Sequence, residues 1–192
     1  MKPSEFVENI ITKYIEDEEL RELLITHSKC VALKALSIAD ECGIGERIDR
    51  DFVRDAAMLH DIGIVKCNAP GIHCHGNLPY ICHGIAGADI LRAEGLDEKY
   101  CRVCERHTGA GITAEEIEQR GLPLPHRDLM PETLEEKLIC YADKFFSKSG
   151  NPAVEKSMDR VENSIRRHGD SSWKRFEQLR TLFSTNGGAA LL

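Results

Sequence analysis

A histidine–aspartate pair ends an apolar helical run in this sequence. Residues 57–59 are apolar, His60 and Asp61 follow them, and Gly63 comes two positions later. An imidazole beside a carboxylate at the buried end of a helix is costly unless another group pairs with both. A metal ion is the usual partner when further histidines are available, so the pair predicts a metal site.

Four more ligand-type side chains fall at core-facing positions or ends of predicted helices. His27 shares a helical face with Leu24, His83 begins a helix and His107 closes another. Asp143 lies among apolar residues, where an unpaired carboxylate would cost several kcal/mol or undergo a large upward pKa shift. Taken singly, a core histidine bonded to a carbonyl is the simpler interpretation of His27. Taken together, the set predicts a shared metal site.

The donor set constrains the metal. Four neutral imidazoles and two carboxylates suit first-row divalent ions of intermediate hardness, so iron, manganese, zinc and cobalt all qualify. No two of these residues have the i, i+4 spacing of a zinc-protease helix. The site must therefore be assembled from distant helices, as in the dimetal cores of helical bundles.

The arrangement resembles the HD-domain metalloproteins, whose pattern is a histidine, an HD pair and a distant aspartate. His27, the pair and Asp143 follow that order over about residues 20–148, and the string His-Asp-Ile-Gly is similar to the HDIG variant. His83 and His107 match the two extra histidines of the binuclear branch. The resemblance implies a metal-dependent phosphohydrolase.

The resemblance also implies how two ions would be held, with Asp61 bridging them. The first ion would be bound by His27, His60, Asp61 and Asp143, and the second by Asp61, His83 and His107. Iron or manganese is the favoured metal, with zinc, cobalt, nickel or magnesium as alternatives. Two divalent ions outweigh two carboxylates, which leaves about two positive charges for an anionic substrate and a bridging hydroxide.

The expected reaction is hydrolysis of a phosphoester or phosphoanhydride in a nucleotide or another small phosphorylated molecule. A metal lowers the pKa of its bound water from about 15.7 to roughly 7–9, which supplies the nucleophile. Two alternatives stay open. One branch with the same six ligands is a mixed-valent di-iron oxygenase, and a degenerate HD domain would be a non-catalytic binding or regulatory module.

Two further residues bear on the substrate. Arg106 and Lys144 neighbour proposed ligands and are candidates to clamp phosphate at a catalytic site around Asp61, or else solvated helix residues. The sequence from His107 to Gly111 is also similar to bacterial HD-family hydrolases of diadenosine tetraphosphate. Those proteins usually carry a lysine two or three positions after the HD pair, and this chain does not.

Helical periodicity dominates the chain and predicts an all-α fold, a single HD-domain bundle with the metal site between helices. We expect the HD domain in residues 1–148 and a helical pair with a loose tail, serving packing or dimerisation, in residues 149–192. No strand is predicted. The predicted helices cover about residues 6–15, 18–42, 49–60, 82–93, 97–107, 113–120, 132–147, 151–168 and 171–183.

A loop at residues 67–81 interrupts the helices. Its Cys67, His73, Cys74 and His75, with Cys82, match no common structural zinc spacing, so a loop that covers the metal cleft is preferred over a separate zinc site. The Cys-x-x-Cys pair at residues 101–104 lies within a helix, which favours packing over a redox role. His126 and His168 have polar neighbours and are expected at the surface.

Composition narrows the partners. The net charge of -7 argues against a general nucleic-acid binder, and no apolar run approaches the roughly 18–20 residues of a membrane span. The N-terminus lacks a signal peptide, and eight cysteines then suit a reduced cytoplasmic protein. The expected partners are a small phosphorylated substrate, with no nucleic acid and no membrane, and a second copy of the chain as a homodimer.

Overall fold

Helices account for most of the structure, a computed structural model that describes residues 2–184. The all-α prediction is confirmed. The predicted tail over residues 186–192 lies outside the described residues. The helices of the described part are α1 Glu5–Tyr14, α2 Glu18–Glu41, α3 Arg50–Leu59, α4 His83–Ala93, α5 Glu98–Arg106, α6 Ala114–Gln119, α7 Leu134–Asp143, α8 Met158–Arg166 and α9 Asp170–Leu182.

Side-chain caps fix several helix starts where the sequence provides them. Asp17 accepts a hydrogen bond from the backbone N–H of Leu20 at the start of α2, and Asp49 does the same for Phe52 at the start of α3. Thr113 and Glu116 form the predicted capping box of α6. These caps satisfy N–H groups that have no partner within the helix.

Two large apolar clusters form most of the core within residues 2–184. One joins α2, α3 and α7 to α8 and α9, and the other joins α1, α4 and α5 to the first half of α2. Leu24 belongs to the second cluster and Val31 to the first. His27 lies between them on the same face of α2, so the candidate ligand sits where the clusters meet.

The loop before α4 departs from the prediction of no strand. Within it β1 (Asn68–Ala69) pairs antiparallel with β2 (Cys74–His75). A single turn of 3-10 helix, Pro70–Ile72, connects them, and His73 takes the left-handed conformation with φ 60°. In this short hairpin, backbone N–H and C=O groups of the segment that would otherwise lack hydrogen-bond partners pair with each other. The rest of the segment is the predicted non-helical loop.

Two helix boundaries also differ from the predictions. The helix expected to reach residue 147 ends at Asp143, because the next three residues bond to carbonyls three positions back and tighten the turn. The helix expected to open at Asn151 begins at Met158. Asn151 accepts a hydrogen bond from the backbone of Ala153 and caps only a turn. The backbone N–H of Lys156 then donates to the carbonyl of Phe145, which folds this segment against the end of α7.

No helix within residues 2–184 combines the length and apolar character that crossing a membrane requires.

Candidate metal centre

Helix ends bring the predicted ligands together. His27 lies within α2, His60 and Asp61 directly follow α3, and His83 is the first residue of α4. His107 follows α5. Asp143 is the last residue of α7. Each of the six is at least nine-tenths buried.

Two glycines permit the close approach of these helix ends. A Cβ at Gly63 would lie 2.1 Å from the carbonyl oxygen of His83 and 2.2 Å from the backbone nitrogen of Gly87. A Cβ at Gly84 would lie 2.5 Å from the carbonyl oxygen of Cys104. The turn after the HD pair therefore packs on α4, and α4 packs on α5, only because these positions lack side chains.

The ligand atoms form two groups that share Asp61. Within each group all candidate ligand atoms lie within 4.8 Å of one another. The groups are His27, His60, Asp61 and Asp143, and Asp61, His83 and His107.

The two oxygens of Asp61 face different groups. Its Oδ2 lies 2.8 Å from Nε2 of His60 and 3.2 Å from Nε2 of His27. Its Oδ1 lies 3.4 Å from Nε2 of His83 and 3.3 Å from Nε2 of His107. Asp143 closes the first group, with its Oδ1 3.0 Å from Nε2 of His27.

Backbone carbonyls orient three of the imidazole rings. Nδ1 of His60 lies 2.6 Å from the carbonyl oxygen of Ala57. Nδ1 of His83 and of His107 each lie 2.7 Å from the carbonyl oxygen three residues earlier. When a ring is neutral, a proton on Nδ1 donates to that carbonyl and leaves the Nε2 lone pair directed at the cluster, as in metal-binding histidines.

The charges of the cluster perturb its ionisation. Burial acts to lower the pKa of His60, but the carboxylates of Asp61 and Asp143 outweigh burial and raise that pKa to about 9. Burial and the adjacent His107 lower the pKa of His83 to about 3. Burial acts to raise the pKa of Asp61, yet His60 and Lys148 hold it well below its ordinary value. Asp61 is therefore an anion and His83 a neutral base at neutral pH.

These features fit a divalent cation. Nε2 of His60 and both carboxylate oxygens of Asp61 are buried and make no hydrogen bond within residues 2–184, although they converge on one region. Buried polar atoms without hydrogen bonds are costly, and a cation bound by all of them removes that cost. The buried His/Asp clusters are compatible with a divalent metal site.

A cleft of about 370 Å³ opens on the cluster. The cluster contributes His83, His107 and Asp143 to its walls, and the loop before α4 contributes Tyr80. The C-terminal helices were expected to serve packing or dimerisation, and one of them also reaches this cleft, whose wall includes Arg175 of α9. It is held there by Glu116, 2.8 Å away, and by the carbonyl oxygens of residues 110 and 111.

Two lysines bring positive charge to the cleft. Nζ of Lys144 donates to Oδ2 of Asp143 at 2.7 Å and to the carbonyl of His107 at 2.9 Å. Nζ of Lys148 lies 2.6 Å from Oδ2 of Asp61. Sequence reasoning identified Lys144 but missed Lys148. Lys148 lies four residues after Lys144, and this spacing was the signal that the sequence offered. Because α7 ends at Asp143, before both lysines, the spacing does not place them on one helical face.

Arg106 does not join the cluster. Its Nη1 lies 2.8 Å from Glu132 and 3.1 Å from buried Glu136, and it does not line the cleft. The guanidinium predicted to lie beside phosphate turns instead toward the start of α7, where two carboxylates compete for it.

The remaining sequence candidates lie apart from the cluster. Within residues 2–184, only the two groups described above assemble as candidate metal ligands, so no separate zinc group forms in the loop before α4. All eight cysteines are free thiols. Cys101 and Cys104 are buried in α5, in agreement with a packing role. His126 is exposed as expected, whereas His168, also exposed, lines the cleft.

Comparison with known proteins identifies the family. The HD domain family matches residues 24–148, a span that contains all six candidate ligands. An uncharacterised protein of Methanocaldococcus jannaschii is 40% identical over 133 residues, which cover 69% of this chain and 69% of that protein. The chain therefore belongs to the HD domain family.

Two further relatives are each named tRNA (cytidine(56)-2'-O)-methyltransferase. The protein from Picrophilus torridus is 38% identical and that from Thermoplasma volcanium 33% identical, each over 165 residues. These alignments cover 80% and 85% of this chain but 43% of each relative. The chain thus spans less than half the length of these two relatives.

Solved structures confirm the HD-domain fold. The HD domain of the L. monocytogenes phosphodiesterase PgpH in complex with cyclic-di-AMP superposes with a TM-score of 0.52 at 17% identity, over 94% of this chain and 96% of that one. A second structure of the same domain gives a TM-score of 0.52 over 97% and 100%. At this level of identity the likeness establishes the fold alone.

Proposed function

We propose that this protein is a metal-dependent phosphohydrolase that acts on a nucleotide or another small phosphorylated molecule with two divalent ions. The observation that carries the proposal is the shared position of Asp61. Its two oxygens face two histidine groups, so one carboxylate can bridge two ions. Two-metal centres of this kind stabilise both the attacking and the leaving oxygen of a phosphoryl transfer.

The chain's own residues would divide the remaining work. Bound divalent ions supply Lewis acidity and lower the pKa of a water molecule. Asp61 and Asp143 would hold these ions. Lys144 and Lys148 lie at the mouth of the cluster and would bind phosphate oxygens of the substrate. The hydrolases that the sequence resembles usually carry a lysine two or three positions after the HD pair. In this chain Ile64 occupies such a position and is fully buried in the core, so Lys148 would provide the ammonium instead.

The comparisons favour a nucleotide as the substrate. The PgpH HD domain has the same fold and binds cyclic-di-AMP. Apart from the comparisons, the sequence resemblance from His107 to Gly111 adds dinucleoside polyphosphates to the proposed candidates. The methyltransferase relatives match over only part of their length, and we propose that the matching part is an HD domain joined to a separate methyltransferase segment.

Turnover assays test this proposal. Protein loaded with iron or manganese is assayed against phosphomonoesters, cyclic dinucleotides and dinucleoside polyphosphates. We expect release of phosphate or of a nucleotide from at least one class, with loss on chelation and recovery on metal addition. Lys148→Gln should reduce kcat/KM about tenfold or more, whereas Lys174→Gln, which removes an exposed lysine on α9, should not. Absence of turnover throughout the panel would count against hydrolysis.

The oxygenase and binding-module alternatives give different results with the same preparation. An oxygenase consumes oxygen with an organic substrate and shows a mixed-valent iron signal on partial reduction. A binding module purified without chelators holds less than one metal per chain. Either result, together with no phosphate release, would replace the hydrolase proposal.

A further inference from the structure

A second cavity adjoins the metal cleft. It has a volume of about 480 Å³, and its shared lining residues with the cleft are Tyr80, Gly109, Asp143, Lys144, Lys148 and His168. We call it the Lys156 lobe. Because the two cavities share lining residues, they form one continuous groove. The residues that line the lobe but not the cleft are Ala69, Gly71, Ile72, Phe146, Ser147, Ser149, Lys156, Val161, Ser164 and Ile165.

The lobe is positively charged. Three lysines line it, against a single carboxylate, that of Asp143. Lys144 already pairs with Asp143, and Lys148 pairs with Asp61. Divalent ions bound by Asp61 and Asp143 would add further positive charge beside both lysines. The lobe therefore favours an anion.

Lys156 is the lysine of this lobe that lacks an acidic partner. Its Nζ donates to the carbonyl oxygen of Lys144 at 3.0 Å, and no carboxylate within residues 2–184 lies in ion-pair range. The side chain is half-buried. Burial and the neighbouring lysines lower its pKa, which agrees with a cation held among other cations. The remaining N–H donors of this ammonium are free to meet a ligand.

The lobe also has apolar lining residues. Phe146, Val161 and Ile165 belong to the hydrophobic core, and Ile72 adds an aliphatic side chain from the loop before α4. Ser147, Ser149 and Ser164 add hydroxyl groups to the lining. A lining that combines lysines, hydroxyls and apolar side chains suits a nucleoside that carries a phosphate.

We propose that the Lys156 lobe binds a second phosphate group of the substrate. The preferred substrate would then be a nucleotide with two separated phosphates, one at the metal cluster and one at Lys156, in place of a simple monoester. This inference rests on the proposed function, because it takes the first phosphate to lie at the metal cluster.

Two matched ligands test the inference. Adenosine 3',5'-bisphosphate and adenosine 5'-monophosphate share base and sugar and differ by one phosphate. Their Kd values are measured by calorimetry on metal-loaded protein, and kcat/KM is measured for each. We expect the wild-type protein to bind the bisphosphate at least about tenfold more tightly, the effect of one charge-assisted hydrogen bond.

Variants of Lys156 distinguish the effect of its charge from the effect of its hydrogen bond to the carbonyl of Lys144. Lys156→Gln removes the charge while its amide can still donate to the carbonyl of Lys144, and it should abolish the preference for the bisphosphate. Lys156→Arg should keep most of it. Lys174→Gln makes the same change in net charge at an exposed position of α9 and should leave the preference unchanged.

The outcomes separate the inference from the proposed function. Tighter binding of the bisphosphate that depends on Lys156, without any turnover, supports the lobe and contradicts hydrolysis. Turnover with no preference for the bisphosphate overturns the lobe and leaves hydrolysis intact. An equal effect of Lys156→Gln on both ligands, or the absence of binding of either, also overturns the lobe.

Discussion

Nε2 of His83 lies 2.9 Å from Nε2 of His107, while Nδ1 of each ring faces a backbone carbonyl. With both Nδ1 atoms protonated, neither Nε2 carries a proton, and two lone pairs face each other across this short distance. A cation bound by both nitrogens, with Oδ1 of Asp61 as the third ligand, would turn this repulsion into coordination. The pair is thus arranged for a metal ion more than for a histidine–histidine hydrogen bond.

Metal content tests this arrangement directly. His83→Ala and His107→Ala should each lower the bound metal by about one ion per chain, whereas Asp61→Ala should disturb both ions. Elemental analysis of protein purified without chelators gives the stoichiometry. His126→Ala, which removes an exposed histidine, is the control and should not alter it. Full metal content and activity in both histidine variants would exclude a second site.

Gly63→Ala should destabilise the protein and loosen the second ligand group. The new Cβ would overlap the backbone of α4 at His83 and Gly87, so α4 must shift, at a cost of about 1–3 kcal/mol or more. Urea unfolding and metal analysis measure both effects. At Gly71 a Cβ meets nothing within 4 Å, so Gly71→Ala should stay within about 0.5 kcal/mol of the parent. Equal stability of the two variants would contradict the packing argument.

Arg106→Met should lower stability without lowering kcat. The change removes a hydrogen-bond donor from the buried carboxylate of Glu136, at a cost of about 1–3 kcal/mol. Among the described residues this carboxylate then keeps only the backbone N–H of Glu132 as a donor. Denaturant unfolding and steady-state kinetics distinguish the two effects. Adding Glu136→Gln should restore part of the stability, because a neutral amide tolerates the lost charge better. A fall in kcat without a loss of stability would instead indicate that Arg106 acts at the catalytic site.

Asp55→Asn should reduce stability at neutral pH and flatten its dependence on acid. Asp55 accepts hydrogen bonds from the backbone and hydroxyl of Ser4 and from Arg54, and so anchors the start of α1. Burial acts to raise the pKa of Asp55, but Arg54 and Ser4 outweigh it and lower that pKa. The stabilisation is therefore present above the ordinary pKa of about 3.9 and is lost as pH falls through the lower folded value.

Thermal or urea unfolding between neutral and acid pH measures this effect. At pH 7 the variant should lose about 1–3 kcal/mol, and the gap to the wild-type protein should close below about pH 4. Asp51→Asn, at an exposed position that also contacts Arg54, should change stability less. A gap that stays constant across the acid range would show that ionisation of Asp55 is not involved.

The sequence predicted a candidate ligand set because several ligand-type residues at core-facing helical positions have few structural explanations when they occur together. His27 and Asp143 are 116 positions apart, and each became a candidate only as a member of that set. Arg106 and Lys144 looked alike in sequence, since each adjoins a ligand. Only the structure shows that Glu132 and Glu136 draw Arg106 away while Lys144 stays in the cleft.

The helix boundaries and the walls of the cleft depend on tertiary contacts, which local sequence patterns do not predict. Asn151 has the features of a helix cap, but the backbone bond from Lys156 to Phe145 outweighs that local preference. The polar surroundings of His168 indicated a surface position. The same residue follows the end of α8 and lines both the cleft and the Lys156 lobe, which helical periodicity does not predict.

The groove has walls from two stretches of the chain. Residues 27–143 carry the candidate metal ligands, whereas residues 148–175 carry Lys156 and much of the wall around it. Substrate preference can therefore diverge through changes in the second stretch while the reaction stays the same. Exchanging residues 148–182, which include Lys156, α8 and α9, between relatives should then transfer selectivity without transferring chemistry.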